Sequence, residues 1–187
     1  NNLRYLHQRR WVDDPRLLLN GEASLVLPNA KKAPYGLRRL RRRYEEYHLK
    51  LECKNQVFHG PNYFVPDYAD IAVATVHDLS VFKYPETHPK ERIQQFEREF
   101  KKTLAKVQHL ITDSEATWQE VIEFCAWPAD RITAIPLAAS ENFFPRDKQI
   151  LEAVLAKYQL TFNAYSLCVS TLEPRKKIEQ LIYSYQL

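Results

Sequence analysis

The stretch DIAVATVHD at residues 70–78 decides the fold. Its centre, Ile71–Val76, is rich in β-branched residues and apolar on both faces. Such a run is typical of an internal strand of a parallel sheet. His77 and Asp78 follow where this strand ends. This pair forms either a local structural lock or the edge of an active site.

Strands and helices alternate after this strand. A helix is predicted from Pro89 to about Gln108, because its apolar residues recur with a spacing of 3.6. Further strands are expected at HLITDS, RITAIPLA and YSLCVST, each followed by a helix. The order predicts an α/β fold with a Rossmann-like, doubly wound parallel sheet. We expect residues 1–145 to form this domain, and 146–187 to form a linker helix and the start of a second, incomplete lobe.

The sequence before residue 70 indicates secondary structure less clearly. ASLVL at residues 23–27 and NQVFHG at 55–60 are interpreted as short strands. Residues 33–51, APYGLRRLRRRYEEYHLKL, are predicted to form a basic helix. No methionine occurs, not even at position 1, so we expect the natural chain to begin earlier.

Composition excludes several classes of site. The 187 residues carry three widely spaced cysteines without a CxxC pair, which favours a reducing, cytoplasmic location. No HExxH motif occurs, so no metal site is expected. The last of three glycines is Gly60, which excludes the common glycine-rich phosphate loops. No apolar run approaches the roughly 20 residues that span a bilayer.

Five arginines lie within six positions: Arg38, Arg39, Arg41, Arg42 and Arg43. They could bind the phosphates of a nucleic acid or the head groups of an anionic membrane, or form only a solvated helix face. No RNA-binding motif, zinc finger or helix-turn-helix accompanies them. Nucleic acid is therefore the weaker of the two functional alternatives.

Polar residues follow three of the predicted strands. They are His77 and Asp78, then Asp113 and Ser114, then Thr171 to Glu173. Ligands of parallel sheets bind beyond the carboxyl ends of the strands, so a functional cleft is expected there. His77 could equally be bonded only to loop backbone, and Ser114 is well placed to cap the helix that follows it.

Five blocks occur in a recognisable order: VFHGPNYFVP, ATVHDLSVFKYPETHP, LITDSEATWQEVIEF, RITAIPLAASENFFP and CVSTLEPRKKIEQLIYSY. Together they resemble the GT-B glycosyltransferases of family 4, and among them bacterial mannosyltransferase-like enzymes of cell-surface polysaccharide assembly. The resemblance covers roughly residues 55–187. NNLRYLHQRRW at the start looks like the first helix of that fold.

The resemblance implies two lobes and a metal-independent sugar transfer with retention of configuration. The donor would be a nucleotide-sugar such as GDP-mannose, with no cofactor, and the acceptor a glycan or a lipid-linked glycan. His77 would reach the donor sugar, with Asp78 supporting its loop. Lys176, with Arg175 beside it, would contact the donor diphosphate. The remaining implied positions are Ser114 on the donor side and Gly60 and Asn62 in the acceptor-side loop.

The chain also departs from the family pattern. Val169-Ser170-Thr171 stands where the family usually has Val-Gly-Thr, and the paired glutamates of the second lobe are missing. We therefore expect these 187 residues alone to be inactive. The alternative is a non-catalytic glycan- or phosphate-binding module. An enzyme of this type is expected in the cytoplasm, with an anionic membrane surface as a possible partner at its inner face.

Overall fold

The structure is a computed structural model that describes residues 3–7, 9–14, 16 and 35–185. The strand predicted at residues 23–27 lies outside these residues. The predicted α/β class with a parallel sheet is confirmed. The division of the chain near residue 145 stays a prediction.

Four parallel strands form the main sheet, and their order in the sheet follows their order in the chain. Ile71–Val76 is internal, as its apolar sequence predicts, with Ala72, Ala74 and Val76 almost fully buried. The strands are β3 (Val57–Gly60), β4 (Ile71–Val76), β5 (His109–Thr112) and β6 (Ile132–Ala134).

The first residues form a hairpin, and the prediction of a helix there is wrong. Strands β1 (Tyr5–His7) and β2 (Arg10–Val12) pair antiparallel across a turn in which Arg9 has a φ of 65°. The guanidinium of Arg4 lies 3.9 Å from the centroid of the Trp11 ring, and the Trp11 indole donates to the Glu52 carboxylate. These contacts fix Trp11 against the molecule in an extended conformation.

The predicted helices between the strands are present. One of them is Lys90–Lys106, whose residues Phe100 and Thr103 are buried. The helices are α1 (Tyr35–Glu52), α2 (Ser80–Lys83), α3 (Lys90–Lys106), α4 (Glu115–Cys125), α5 (Lys148–Lys157) and α6 (Ile178–Tyr185). Short 3₁₀ turns occupy Pro85–Thr87, Ala129–Arg131 and Pro174–Lys176.

The strand predicted at YSLCVST is absent. Residues 165–171 have no regular hydrogen-bonded structure, and the side chains of Leu167 and Val169 are 78% and 87% exposed. The sequence has strand composition, but a strand is stable only beside others that share its hydrogen bonds and cover its apolar face. No described strand lies beside this segment.

Candidate functional site

The site is built where β4 and β5 end side by side. Val76 is in register with Thr112, so the next residues, His77 and Asp113, leave the sheet together. The Nδ1 atom of His77 lies 2.6 Å from Oδ2 of Asp113. The two strand ends predicted to carry polar residues therefore meet, as expected for neighbouring parallel strands.

Both ring nitrogens of His77 are occupied by acceptors. Besides the Asp113 carboxylate at Nδ1, the Pro61 carbonyl oxygen lies 2.8 Å from Nε2. A carboxylate and a carbonyl only accept, so the geometry is satisfied when both nitrogens carry a proton. The hydrogen bond with Asp113 accordingly raises the pKa of His77 above its usual value of 6.5, although desolvation opposes the shift. With both nitrogens protonated the ring would carry a positive charge, and neither nitrogen would be free to act as a general base.

The backbone of His77 is held as well. The Thr117 hydroxyl donates to the His77 carbonyl oxygen at 3.2 Å. Thr117 itself belongs to the first turn of α4, where its amide donates to the side chain of Ser114. Ser114 is thus confirmed as the N-cap of α4. The structure does not test the donor-side role predicted for it.

Tyr63, in the loop after β3, contacts the loop after β4 that contains His77 and Asp78. Its phenol oxygen accepts from the backbone amide of Asp78 at 3.1 Å, and the Asp78 carboxylate accepts from the Ser80 amide at 2.8 Å. Burial, with the charge of Asp78 adding to it, raises the pKa of Tyr63 to about 12. Asp78 therefore holds the start of α2, and the Tyr63 phenol stays neutral near pH 7. The catalytic role expected for His77 and Asp78 stays a prediction.

Gly60 is required by close packing in the loop after β3. A Cβ atom at this position would lie 2.3 Å from the Phe64 carbonyl oxygen and 2.9 Å from Cγ1 of Val65. Tyr63 in the same loop has a φ of 62°, and its amide donates to the Thr75 carbonyl oxygen at 2.9 Å. The loop is therefore folded back tightly on β4, which brings the Pro61 carbonyl to His77.

A cleft of about 940 Å³ opens beside the loops that follow β3 and β4. One wall carries Asn62, Tyr63 and Asp78, and the opposite wall is the start of α3. Glu173 and Pro174 also line the cleft, so a segment distant in sequence reaches the site. Lys176 lies two residues further on in an exposed turn, and the backbone of Arg175 belongs to that turn.

The arginine cluster lies on α1, at a distance in the chain from the cleft loops. Two of its members form pairs within the helix, Arg41 with Glu45 and Arg42 with Glu46, each at 2.8 Å. Large apolar side chains with exposures of 54–66% lie on the same helix: Leu37, Leu40, Tyr44, Tyr47 and Leu51. α1 therefore presents both positive charge and apolar surface to solvent.

The described residues also lack two kinds of feature. No group of three or more histidine, cysteine, aspartate or glutamate side chains is arranged there to hold a metal ion. None of the described helices combines the length and apolarity needed to cross a bilayer.

Comparison with known proteins adds the family context. O-antigen chain mannosyltransferase B of Escherichia coli is 39% identical over 136 residues, which is 73% of this chain and 36% of that protein. The chain is similar to bacterial mannosyltransferases. The serotype-specific mannosyltransferase WbdA of Escherichia coli is 29% identical over 138 residues, covering 69% of this chain and 17% of that protein. No family model matches the chain, and no solved structure matches it significantly.

The similarity supports a bacterial glycosyltransferase and confirms the coarser part of the predicted resemblance. The chain spans about a third of the length of the first of these relatives, and less of the second. The activity, substrates and partners of the whole protein are therefore matters for proposal.

Sequence reasoning missed several residues of this site. The pairing of Asp113 with His77 could have been inferred, because both follow adjacent strands. Pro61 and Tyr63 gave no such signal, since their contacts depend on how the loop folds. Arg92 and Gln95, which line the cleft, were missed because charged and polar residues on a surface helix are ordinarily solvated. His88 also lines the cleft, from the turn before that helix.

Proposed function

We propose that this chain belongs to a glycosyltransferase of bacterial cell-surface polysaccharide synthesis, with the GT-B architecture of family 4. It would transfer a mannose-like sugar from a nucleotide-sugar to a glycan or lipid-linked acceptor. The similarity to O-antigen chain mannosyltransferase B over 73% of the chain carries this proposal. The parallel sheet with a cleft beyond the end of β4 supports it.

The proposed mechanism is a front-face transfer that retains the anomeric configuration. The acceptor oxygen would bond to the anomeric carbon as the bond from that carbon to the nucleotide's phosphate oxygen breaks, and the hydroxyl proton would pass to that departing oxygen. The diphosphate leaves with negative charge that must be stabilised. A protonated His77 ring, hydrogen-bonded at both nitrogens, would supply positive charge near the cleft, and Lys176 with Arg175 would supply it at the diphosphate. Side-chain cations in these positions would make the transfer independent of a metal ion and of a cofactor.

The proposal is tested with the protein at its natural length, supplied with GDP-mannose and a lipid-linked or synthetic glycan acceptor. We expect transfer that persists in EDTA and a product whose anomeric signal by NMR matches that of the donor. A product of inverted configuration would refute retention, and loss of activity in EDTA would refute metal independence. Binding of glycans without transfer to any acceptor would favour the non-catalytic binding module.

We also propose that α1 docks the enzyme on an anionic membrane at the cytoplasmic face. Exposed leucines and tyrosines beside a basic cluster are the composition of interfacial helices. Replacing Arg38, Arg39 and Arg43 with glutamine should reduce flotation with phosphatidylglycerol vesicles but not change the weak flotation with neutral vesicles. Unchanged flotation would refute docking through α1, and a shift of duplex DNA or RNA in a gel would support nucleic-acid binding instead.

A further inference from the structure

The peptide unit between His77 and Asp78 is held by side chains at both of its polar ends. Its carbonyl oxygen, which belongs to His77, accepts from the Thr117 hydroxyl at 3.2 Å. Its amide, which belongs to Asp78, donates to the phenol oxygen of Tyr63 at 3.1 Å. The described residues contain no cis peptide bond, so the carbonyl and the amide point to opposite sides of the unit. The two side chains therefore hold it from opposite sides.

The two partners belong to different parts of the chain. Thr117 lies in the first turn of α4, which follows β5, and Tyr63 lies in the loop after β3. His77 itself follows β4, so one peptide unit links the segments that follow three neighbouring strands. A peptide unit is a rigid plane, and its rotation would disturb both hydrogen bonds together.

Thr117 directs its hydroxyl away from its own helix. It stands three residues after the cap Ser114, where a side chain ordinarily bonds back to the cap or to the preceding turn. A threonine hydroxyl has one proton, and here that proton goes to the His77 carbonyl. In the contact of 3.1 Å between the Thr117 and Ser114 hydroxyls, Ser114 is then the donor. Two hydroxyl groups in series therefore end on the His77 carbonyl.

Tyr63 contacts His77 as well as the amide that follows it. The centroids of the Tyr63 and His77 rings lie 5.8 Å apart, and the rings meet edge to face at 83°. The same tyrosine accepts from the Asp78 amide. The position of the His77 ring and the orientation of the next peptide unit are therefore linked through one side chain.

We propose that Thr117 is a positioning residue of the sugar transfer, which acts through His77 by holding the His77–Asp78 peptide unit in one orientation against Tyr63. The inference rests on the proposed function, in which His77 reaches the donor sugar. Thr117 is buried and is not among the residues that line the cleft, so it acts without touching a substrate. Hydrogen bonds within the protein arrange this loop before a substrate arrives, which is how polar sites avoid reorganising during the reaction.

Hydrogen exchange measured by NMR on the protein at its natural length tests the link without turnover. Thr117→Val keeps the shape of the side chain and the amide that Ser114 caps, but removes the hydroxyl. The Asp78 amide bonds to Tyr63 and not to Thr117, yet it should exchange about fivefold faster in Thr117→Val, because the unit is released at its other end. The ¹³C signal of the His77 carbonyl should shift. Thr117→Ser, which restores a hydroxyl, should reverse both changes.

Thr133→Val is the matched control. The Thr133 hydroxyl also makes a hydrogen bond, at 2.8 Å to Nε2 of His109, but it lies on β6, which β5 separates from β4. This variant should leave the exchange of the Asp78 amide and the His77 carbonyl signal unchanged. An equal change in both variants would indicate a general loosening of the protein and would overturn the inference.

Kinetics then test the role in transfer. Thr117→Val should lower kcat about tenfold, with KM for donor and acceptor within about twofold of the natural values, because the loop and not substrate binding is disturbed. Tyr63→Phe should also lower kcat. In the double variant the loss should be smaller than the product of the two single losses, since both side chains hold one peptide unit. Independent losses that multiply would contradict a shared unit.

The outcomes separate this inference from the proposed function. Unchanged exchange of the Asp78 amide in Thr117→Val, or an unchanged kcat, would overturn the inference even if sugar transfer is observed. Faster exchange that Thr117→Ser reverses, in a protein that transfers no sugar to any acceptor, would refute the proposed function. The link between Thr117 and the His77–Asp78 peptide unit would then stand, without its role in transfer.

Discussion

At the scale of residues, His77 shows what a sequence can and cannot predict. Its place at a strand end, and the place of Asp113 at the neighbouring end, follow from the order of strands alone. The second partner of its ring, the Pro61 carbonyl, depends on a loop folded tightly enough to exclude a side chain at Gly60. The structure therefore shows that the His77 ring holds the loop in place, and the role of the pair in an active site stays a prediction.

The pKa of His77 gives a pH prediction. A group whose pKa is raised by folding stabilises the protein fully below its unfolded value of 6.5, and the contribution is lost as pH rises through the folded-state pKa. We expect the Tm difference between the natural protein and Asp113→Asn to shrink as pH increases above neutral. NMR titration of the His77 ring should show its pKa falling in Asp113→Asn.

The histidine His59 provides the comparison for that experiment. Burial lowers the pKa of His59, so its contribution is present above the unfolded value and is lost as pH falls. A His59→Gln variant should therefore change the pH dependence in the opposite direction. A Tm difference for Asp113→Asn that does not change with pH would contradict the assignment of His77 as a charged ring.

Gly60 gives a second prediction at this scale. Gly60→Ala should destabilise the protein by about 1–3 kcal/mol, because the new Cβ meets backbone that cannot move freely. Urea denaturation followed by circular dichroism measures this change. If Gly60→Ala left the free energy of unfolding unchanged, the loop would pack differently from the arrangement described above.

At the scale of elements, the sequence predicted the central strands and helices but failed at both ends of the chain. Ile71–Val76 and Lys90–Lys106 have strong periodic patterns and buried partners, so pattern and packing agree. YSLCVST has a strand pattern but lacks a neighbouring strand among the described residues. The hairpin at Tyr5–Val12 depends on the contact between Trp11 and Glu52, 41 positions apart, which no local pattern reveals.

The cap of α4 gives a prediction for an element. Ser114→Ala should lower the free energy of unfolding by about 1 kcal/mol, because the Thr117 amide loses its acceptor. Ser166→Ala, in an exposed segment without regular structure, should have no measurable effect. If Ser114→Ala also raises KM for the donor, Ser114 has the predicted donor-side role. Unchanged stability would refute the cap.

At the scale of the whole molecule, one cluster of buried side chains joins the sheet to α3 and α4. Leu110, Val76 and Val121 have no exposed surface, and Phe100 has 2%. Apolar burial of this kind holds the strand ends in register, and the register places His77 beside Asp113. The cleft is therefore a consequence of the core as much as of its own residues.

The core gives the last prediction. Leu110→Ala should destabilise the protein by about 2–5 kcal/mol, since it leaves a cavity between sheet and helices. Leu137→Ala, at a side chain that is 77% exposed, should change stability by less than about 0.5 kcal/mol. Chemical denaturation measures the difference. Similar changes in the free energy of unfolding for the two variants would contradict the burial of Leu110 in the core.

The order of strands in the sheet has a consequence for biosynthesis. Each strand pairs with the next one along the chain, as Val57 with Ile71, Val73 with His109 and Leu110 with Ile132. A polypeptide leaving the ribosome therefore always offers a finished strand edge to the strand that emerges next. Among the four described strands of the main sheet, none pairs across an intervening strand, so this sheet can fold in the direction of translation.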